Sequence, residues 1–236
     1  MITAPEIREA FDYAEIAYKD QRELSSLFGR SITIIDPILP GLGDACYIID
    51  EAERAVVMFP GSSDIKDWIF NLDYHRDDGF HAGFRRDLDR MASKIMDRLA
   101  EIDPDDILIT GHSRGGALAD VFLEQHCQYL DASIDCITFA QPRIATFKHY
   151  QSKKPVKEAG HVRYLRVHTA DDIVPHLPPR RFGFTHYGRA KQIGSKMSWL
   201  DRVKYFLHYL LPGKKAAIVG LKSHVVGTYR QHVKNL

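Results

Sequence analysis

The sequence lacks the features that mark several whole classes of protein. No apolar run approaches the ~18 residues that a membrane-spanning helix needs. The first residues, "MITAPEIREAFDYAE", have neither the basic segment nor the apolar segment of a cleaved secretory signal. A cytoplasmic location is therefore expected, with export by a signal-independent route left open. Cysteine is scarce: Cys46, Cys127 and Cys136 stand far apart in apolar surroundings. That count and spacing exclude a disulfide scaffold or a cysteine metal site and predict buried thiols. Neither sign of charge dominates, with 32 basic against 31 acidic residues and a net charge of +1. The basic residues form no stripe, which argues against a nucleic-acid partner. There is no internal repeat, low-complexity tract or linker, so residues 1–236 are expected to form a single domain.

What is present is an alternation of strand-like and helical patterns. Residues 4–19 read as an opening helix. "SITIID" (31–36) and "CYIID" (46–50) alternate as strands, and "RAVVMF" (54–59) is a continuous apolar run of the kind buried on both faces of a parallel sheet. Phe84, Leu88, Met91, Ile95 and Leu99 recur at helical spacing and predict one helix over 82–101. "DILIT" (106–110), "DCITFA" (135–140) and "VRYLRVHT" (162–169) read as further strands, and residues 115–130 as a helix. Residues 198–213 form an amphipathic helical pattern stopped by Pro212 and Gly213, and a last helix is expected from about 224. Strands alternating with helices predict an α/β fold with a mostly parallel central sheet and helices on both faces.

The chemistry is concentrated at Gly111-His112-Ser113-Arg114-Gly115, where the strand 106–110 gives way to a helix. This is a G-x-S-x-G nucleophile elbow, the serine turn of α/β hydrolases. The sharp turn lifts a hydroxyl above the sheet, and small residues two positions away let strand and helix approach. It also sets the Arg114 backbone N–H at a helix N-terminus, where it can donate to an oxyanion. A serine hydroxyl is a poor nucleophile on its own, so a base and an orienting carboxylate must accompany it, in the chain order Ser, acid, His. Asp171 and Asp172 both follow the strand 162–169. Asp172 is favoured because Ile173-Val174-Pro175 would anchor it, against the alternative of an ordinary acidic turn. Among the histidines beyond it, His224 opens the last helix after a loop and is favoured as base, with His186 second.

Five segments together resemble the class 3 lipases: "VVMFPGSSDIKDWIFNL" (56–72), "HAGF" (81–84), "ITGHSRGGALA" (109–119), "TFAQPR" (138–143) and "VHTADDIVPHLPPRRFGFTHYG" (167–188). They run in family order. The resemblance implies an α/β-hydrolase fold with Ser113 as nucleophile, Asp172 as acid, His224 as base, and Ser62 joining Arg114 in the oxyanion hole. It implies a serine carboxylic-ester hydrolase of lipid esters, lipase-like, needing no cofactor and no metal. Its partners would be a lipid or ester substrate and, transiently, a membrane or lipid interface. A phospholipase A-type effector and a soluble short-chain esterase share this machinery, and an inactive lipid-binding homologue is the remaining alternative. The family usually has arginine where Pro60 stands. Ile65, Trp68, Ile69 and Leu72 recur at helical spacing where the family carries a lid over the site, here 63–73, although permanent packing fits the same pattern. The 198–213 segment reads as a helical insertion, either membrane-facing or packed on the domain.

Overall fold

The computed structural model describes residues 1–36, 45–62, 64, 74–152, 156, 159–194 and 224–236. The expected lid at 63–73, with Ile65, Trp68, Ile69 and Leu72, and the expected insertion at 198–213 therefore lie outside the described residues, Asp64 apart.

Among the described residues seven strands form the central sheet: β1 (Ile32–Ile35), β2 (Cys46–Asp50), β3 (Arg54–Phe59), β4 (Asp106–His112), β5 (Ser133–Phe139), β6 (Val162–Thr169) and β7 (Ala190–Ile193). In space they lie in chain order. β1, β2 and β3 pair antiparallel, and from β3 onward every pairing is parallel. The parallel part explains the apolar runs of β3, β4 and β5, because these central strands are covered on both faces. Along β3, Val57 and Phe59 enter one core and Val56 and Met58 the other.

The first core is filled by helices α3 (Ala82–Asp89), α4 (Ala92–Ile102) and α5 (Arg114–His126), which bring Phe84, Ile95 and Phe122 to the sheet. The second is filled by α1 (Ala4–Ile16), with Leu24 of α2 (Gln21–Phe28) and Tyr229 of α7 (Val226–Val233), while α6 is the short helix Phe147–Ser152. There Phe11 meets Phe139 edge to face, with ring centroids 5.0 Å apart. Each fully buried side chain of this size contributes about 1.5–3 kcal/mol. Thr110, a polar side chain that β4 buries beneath α1, has its hydroxyl within hydrogen-bond distance of the Ala10 and Ile137 carbonyls, at 3.0 and 2.8 Å, so its donor is satisfied.

The structure revises several sequence expectations. The opening helix ends at Ile16. The helix expected over 82–101 is two helices, α3 and α4, parted at Arg90 and Met91, although its five apolar residues form one buried stripe across the break. The last helix begins at Val226, leaving His224 in the turn before it. A small second sheet of two-residue strands, Arg76–Asp77, Phe80–His81, Ala145–Thr146 and Phe184–Thr185, stands beside the main one. All three cysteines are buried free thiols.

Candidate active site

The register of the parallel strands places Phe59 opposite Gly111 and His112 opposite Phe139, so β3, β4 and β5 end side by side. At that edge the chain reverses through Ser113, whose φ of 60° and ψ of −125° belong to a region that L-residues avoid. Ser113 is held there because its N–H donates to the Phe139 carbonyl at 2.9 Å and its carbonyl accepts from Ala117. The flanking glycines are required by contact. A Cβ on Gly111 would lie 2.5 Å from the Gly115 carbonyl carbon, and one on Gly115 would lie 2.0 Å from the Phe59 oxygen.

Three residues expected from the sequence meet at this turn. The Ser113 Oγ lies 2.7 Å from His224 Nε2, and His224 Nδ1 lies 2.9 and 3.0 Å from the two oxygens of Asp172. Asp172 is fixed in turn: its Oδ1 accepts the Val174 N–H at 2.9 Å, the local bond expected of an aspartate heading the Ile173-Val174-Pro175 turn. Ser113, Asp172 and His224 are 1, 0 and 3% exposed. In so dry a setting these charge-assisted bonds are stronger than at the surface. With Asp172 accepting from Nδ1–H, Nε2 is left as the lone-pair nitrogen facing the hydroxyl. The other candidates stand elsewhere. Asp171 is exposed, and His186 directs Nε2 to the Pro175 carbonyl at 2.7 Å.

The Arg114 N–H opens α5 directly after the serine. Its side chain turns away and pairs with Asp87 of α3 at 2.7 Å, tying the elbow helix to its neighbour. Ser62 lies three residues beyond β3, and its hydroxyl donates to the Asp64 carbonyl at 3.2 Å. The approach to Ser62 is set by close packing. Pro60 lies against Gly115, and Gly61 lies against the Tyr18 hydroxyl and the His112 carbonyl, at distances that leave no room for a Cβ on either glycine.

Three residues near the site had no signature in the sequence. Tyr229 of α7 is fully buried; its hydroxyl donates to Asp172 Oδ2 at 2.7 Å and accepts the Thr169 N–H at 3.1 Å. The His112 ring lies 4.8 Å from that of His224, and Tyr18 OH lies 2.9 Å from His112 Nδ1. Burial, and secondarily the nearness of His224, hold the His112 imidazole neutral, well below the usual histidine range. Tyr229 reads in sequence as the apolar member of Val226, Tyr229 and Val233, and nothing in that spacing separates a core tyrosine from one that holds a carboxylate.

The family described as Lipase (class 3) matches residues 56–182. The chain is 30% identical over 158 residues to a lipase of Rhizomucor miehei, covering 59% of this chain and 41% of that protein. It is 30% identical over 187 residues to a lipase of Rhizopus niveus, covering 72% of this chain and 46% of the other. The matches thus span less than half the length of these curated relatives. Among solved structures, the Rhizomucor miehei triacylglyceride lipase shares the fold with a TM-score of 0.65 at 23% identity, over 82% of each chain.

Proposed function

The chain belongs to the class 3 lipases, and from that premise we propose that it is a serine carboxylic-ester hydrolase of lipid esters, with Ser113 as nucleophile, His224 as base and Asp172 as orienting acid. The observation that carries this reading is the 2.7 Å approach of Ser113 Oγ to His224 Nε2, on a ring whose other nitrogen faces Asp172.

In the reaction His224 Nε2 takes the Ser113 proton as Oγ attacks the ester carbonyl carbon. The carbonyl electrons move onto oxygen, and the backbone N–H groups of Arg114 and Ser62 receive the negative charge. One such donor is worth about 3 kcal/mol in the transition state. Collapse of the tetrahedral intermediate breaks the ester C–O bond, and His224 returns the proton to the departing alcohol. The acyl-enzyme then meets water, which His224 deprotonates, and a second collapse releases the acid and restores the Ser113 hydroxyl. Asp172 keeps its charge throughout and balances the imidazolium.

A panel of esters of increasing acyl length, with triacylglycerol emulsions and phospholipid vesicles, tests the reading against Ser113→Ala and His224→Ala controls. Both variants are expected to lose about 10⁴-fold or more in kcat, and an alkylphosphonate should label the wild type at Ser113. Undiminished turnover in Ser113→Ala would discard the reading, as would His186→Ala abolishing activity while His224→Ala keeps it. The same panel separates a triacylglycerol lipase from a phospholipase A-type enzyme and from a short-chain esterase.

A further inference from the structure

The parallel sheet sends three loops from the edge that bears Ser113: one after β3, one after β5 and one after β6. They converge in the small second sheet, where Phe184 pairs with Thr146 and Arg76 with His81. On the outside of that convergence lies a rim of six side chains. Arg181 stacks over the Phe182 ring with its guanidinium carbon 5.0 Å from the centroid, and Phe182 stacks on Tyr74 at 4.7 Å. The Phe147 N–H donates to the Gly183 carbonyl at 3.0 Å, and Phe147 itself stands 60% exposed. The Arg76 guanidinium also comes up to Gly183, and Arg180, beside Arg181, is exposed as Arg76 and Arg181 are.

Among the described residues the charges on this rim are unbalanced. Arg54, Arg85, Arg98, Arg114, Arg163 and Arg230 each meet a carboxylate. Among the described residues, Arg76, Arg180 and Arg181 form no ion pair. The nearest acids in sequence, Asp77 and Asp78 on the same hairpin, are directed to Arg85 at 3.4 and 3.9 Å. Three guanidinium groups without an ion pair among the described residues, around one exposed and two half-buried aromatic rings, match one chemistry well. Guanidinium binds phosphate in a bidentate fork, and aromatic rings settle at the boundary between headgroups and acyl chains. A polyanion without an apolar layer would use the arginines but leave Phe147 in water.

We infer that this rim is a docking surface for an anionic phospholipid bilayer, which would hold the Ser113 edge of the sheet against the membrane. The inference rests on the ester-hydrolase reading for its biological purpose, but its test does not depend on turnover. The full-length Ser113→Ala protein is sedimented with vesicles of phosphatidylcholine alone and of equimolar phosphatidylcholine and phosphatidylglycerol. Binding to the mixed vesicles should exceed binding to the neutral ones and should weaken as salt is raised. Near an anionic surface each arginine is worth about fivefold in affinity, so Arg180→Gln/Arg181→Gln should bind the mixed vesicles about thirtyfold more weakly. Phe147→Ser should weaken binding without altering its salt dependence. In otherwise wild-type protein, both variants should hydrolyse a water-soluble ester at the parental rate, which also establishes that they fold. Equal binding to both vesicle types, undiminished binding by the double variant, or retention by a single-stranded oligonucleotide without retention by mixed vesicles would each overturn the inference. Loss of hydrolysis with charge-selective binding intact would instead strike the catalytic reading alone.

Discussion

Ser113 occupies a backbone conformation that its own Cβ disfavours, and the surroundings over-determine it: a bond to Phe139, the start of α5 and two glycines packed to contact. Strain of this kind costs about 1–3 kcal/mol and clusters at functional sites, which agrees with the nucleophile role proposed for Ser113. Two variants without the hydroxyl should therefore differ. Ser113→Ala keeps the strain, whereas Ser113→Gly releases it against a smaller entropic cost in the unfolded chain. Ser113→Gly is expected to be more stable by about 1 kcal/mol in denaturant melts, and equal or lower stability would show that the turn is unstrained. The carboxylate end of the relay makes a second residue-scale case. Tyr229→Phe removes a donor from buried Asp172 and leaves the Thr169 N–H without its acceptor. A hydrogen bond to a charged group is worth about 1.5–3 kcal/mol. The expected result is a fall in kcat of about tenfold or more with little change in KM, because Tyr229 reaches the substrate only through Asp172 and His224. An effect confined to KM would place Tyr229 in substrate binding instead.

At the scale of elements, the base of the site is clamped by a buried polar group that joins a helix to two strands. Asp120 of α5 accepts from the Tyr164 hydroxyl of β6 at 2.9 Å and from the Gln141 amide, while Thr138 of β5 donates to Gln141 at 2.5 Å. Asp120 lies two helical turns beyond Ser113, so the clamp fixes the elbow helix against the loop that follows β5. Asp120→Ala would leave two buried donors without their carboxylate and should cost about 2–4 kcal/mol. The check is a urea midpoint compared with that of Tyr164→Phe, which removes only one of the donors and should cost less. Little of this clamp was legible in the sequence, since an aspartate in mid-helix commonly faces solvent. The elements themselves were more legible. β3, β4 and β5 announce themselves as apolar runs because both faces of the sheet are covered there, and α5 because it follows the glycine turn. Other elements carried weaker signals. The break between α3 and α4 falls at Arg90 and Met91 with no glycine or proline to mark it, and the buried stripe continues through it. α2 has eight residues and had one available signal, the capping box of Asp20 and Glu23. β7, "AKQI", is polar and short, and its strand character comes from pairing with β6. The two-residue strands of the second sheet are held by long-range contacts that no local pattern encodes.

At the scale of the whole molecule, near-neutrality conceals an asymmetry. At the sheet edge away from Ser113 the charges interlock: Arg54 with Glu9, and Arg163 with both Glu6 and Asp135. Elsewhere stand imidazoles that are buried, as His112 is, or half-buried, as His126 and His168 are. This arrangement sets how stability responds to acid. Burial is the main cause holding His112, His126 and His168 below their ordinary value of 6.5. In the folded chain these rings stay neutral as the pH drops through 6.5, whereas in the unfolded chain they take up protons. The unfolded state therefore binds more protons, and stability must fall as pH falls below 6.5. Each excess proton contributes at most about 1.4 kcal/mol per pH unit. Glu6 acts in the same direction at lower pH. Its bonds to Thr3, first, and its pairing with Arg163 lower its pKa from 4.5 to about 2. Stability contributed by its charge is thus present above 4.5 and lost as the pH falls toward 2. Thermal melts should accordingly show a flat region above 6.5, a decline that begins below it, and a further decline below 4.5. His126→Gln, on α5 and outside the relay, removes one of the titrating rings and should make the first decline shallower without touching the second. A melting temperature that is constant between pH 7 and 5, or a first decline unchanged in His126→Gln, would mean that these imidazoles are already hydrated in the folded state.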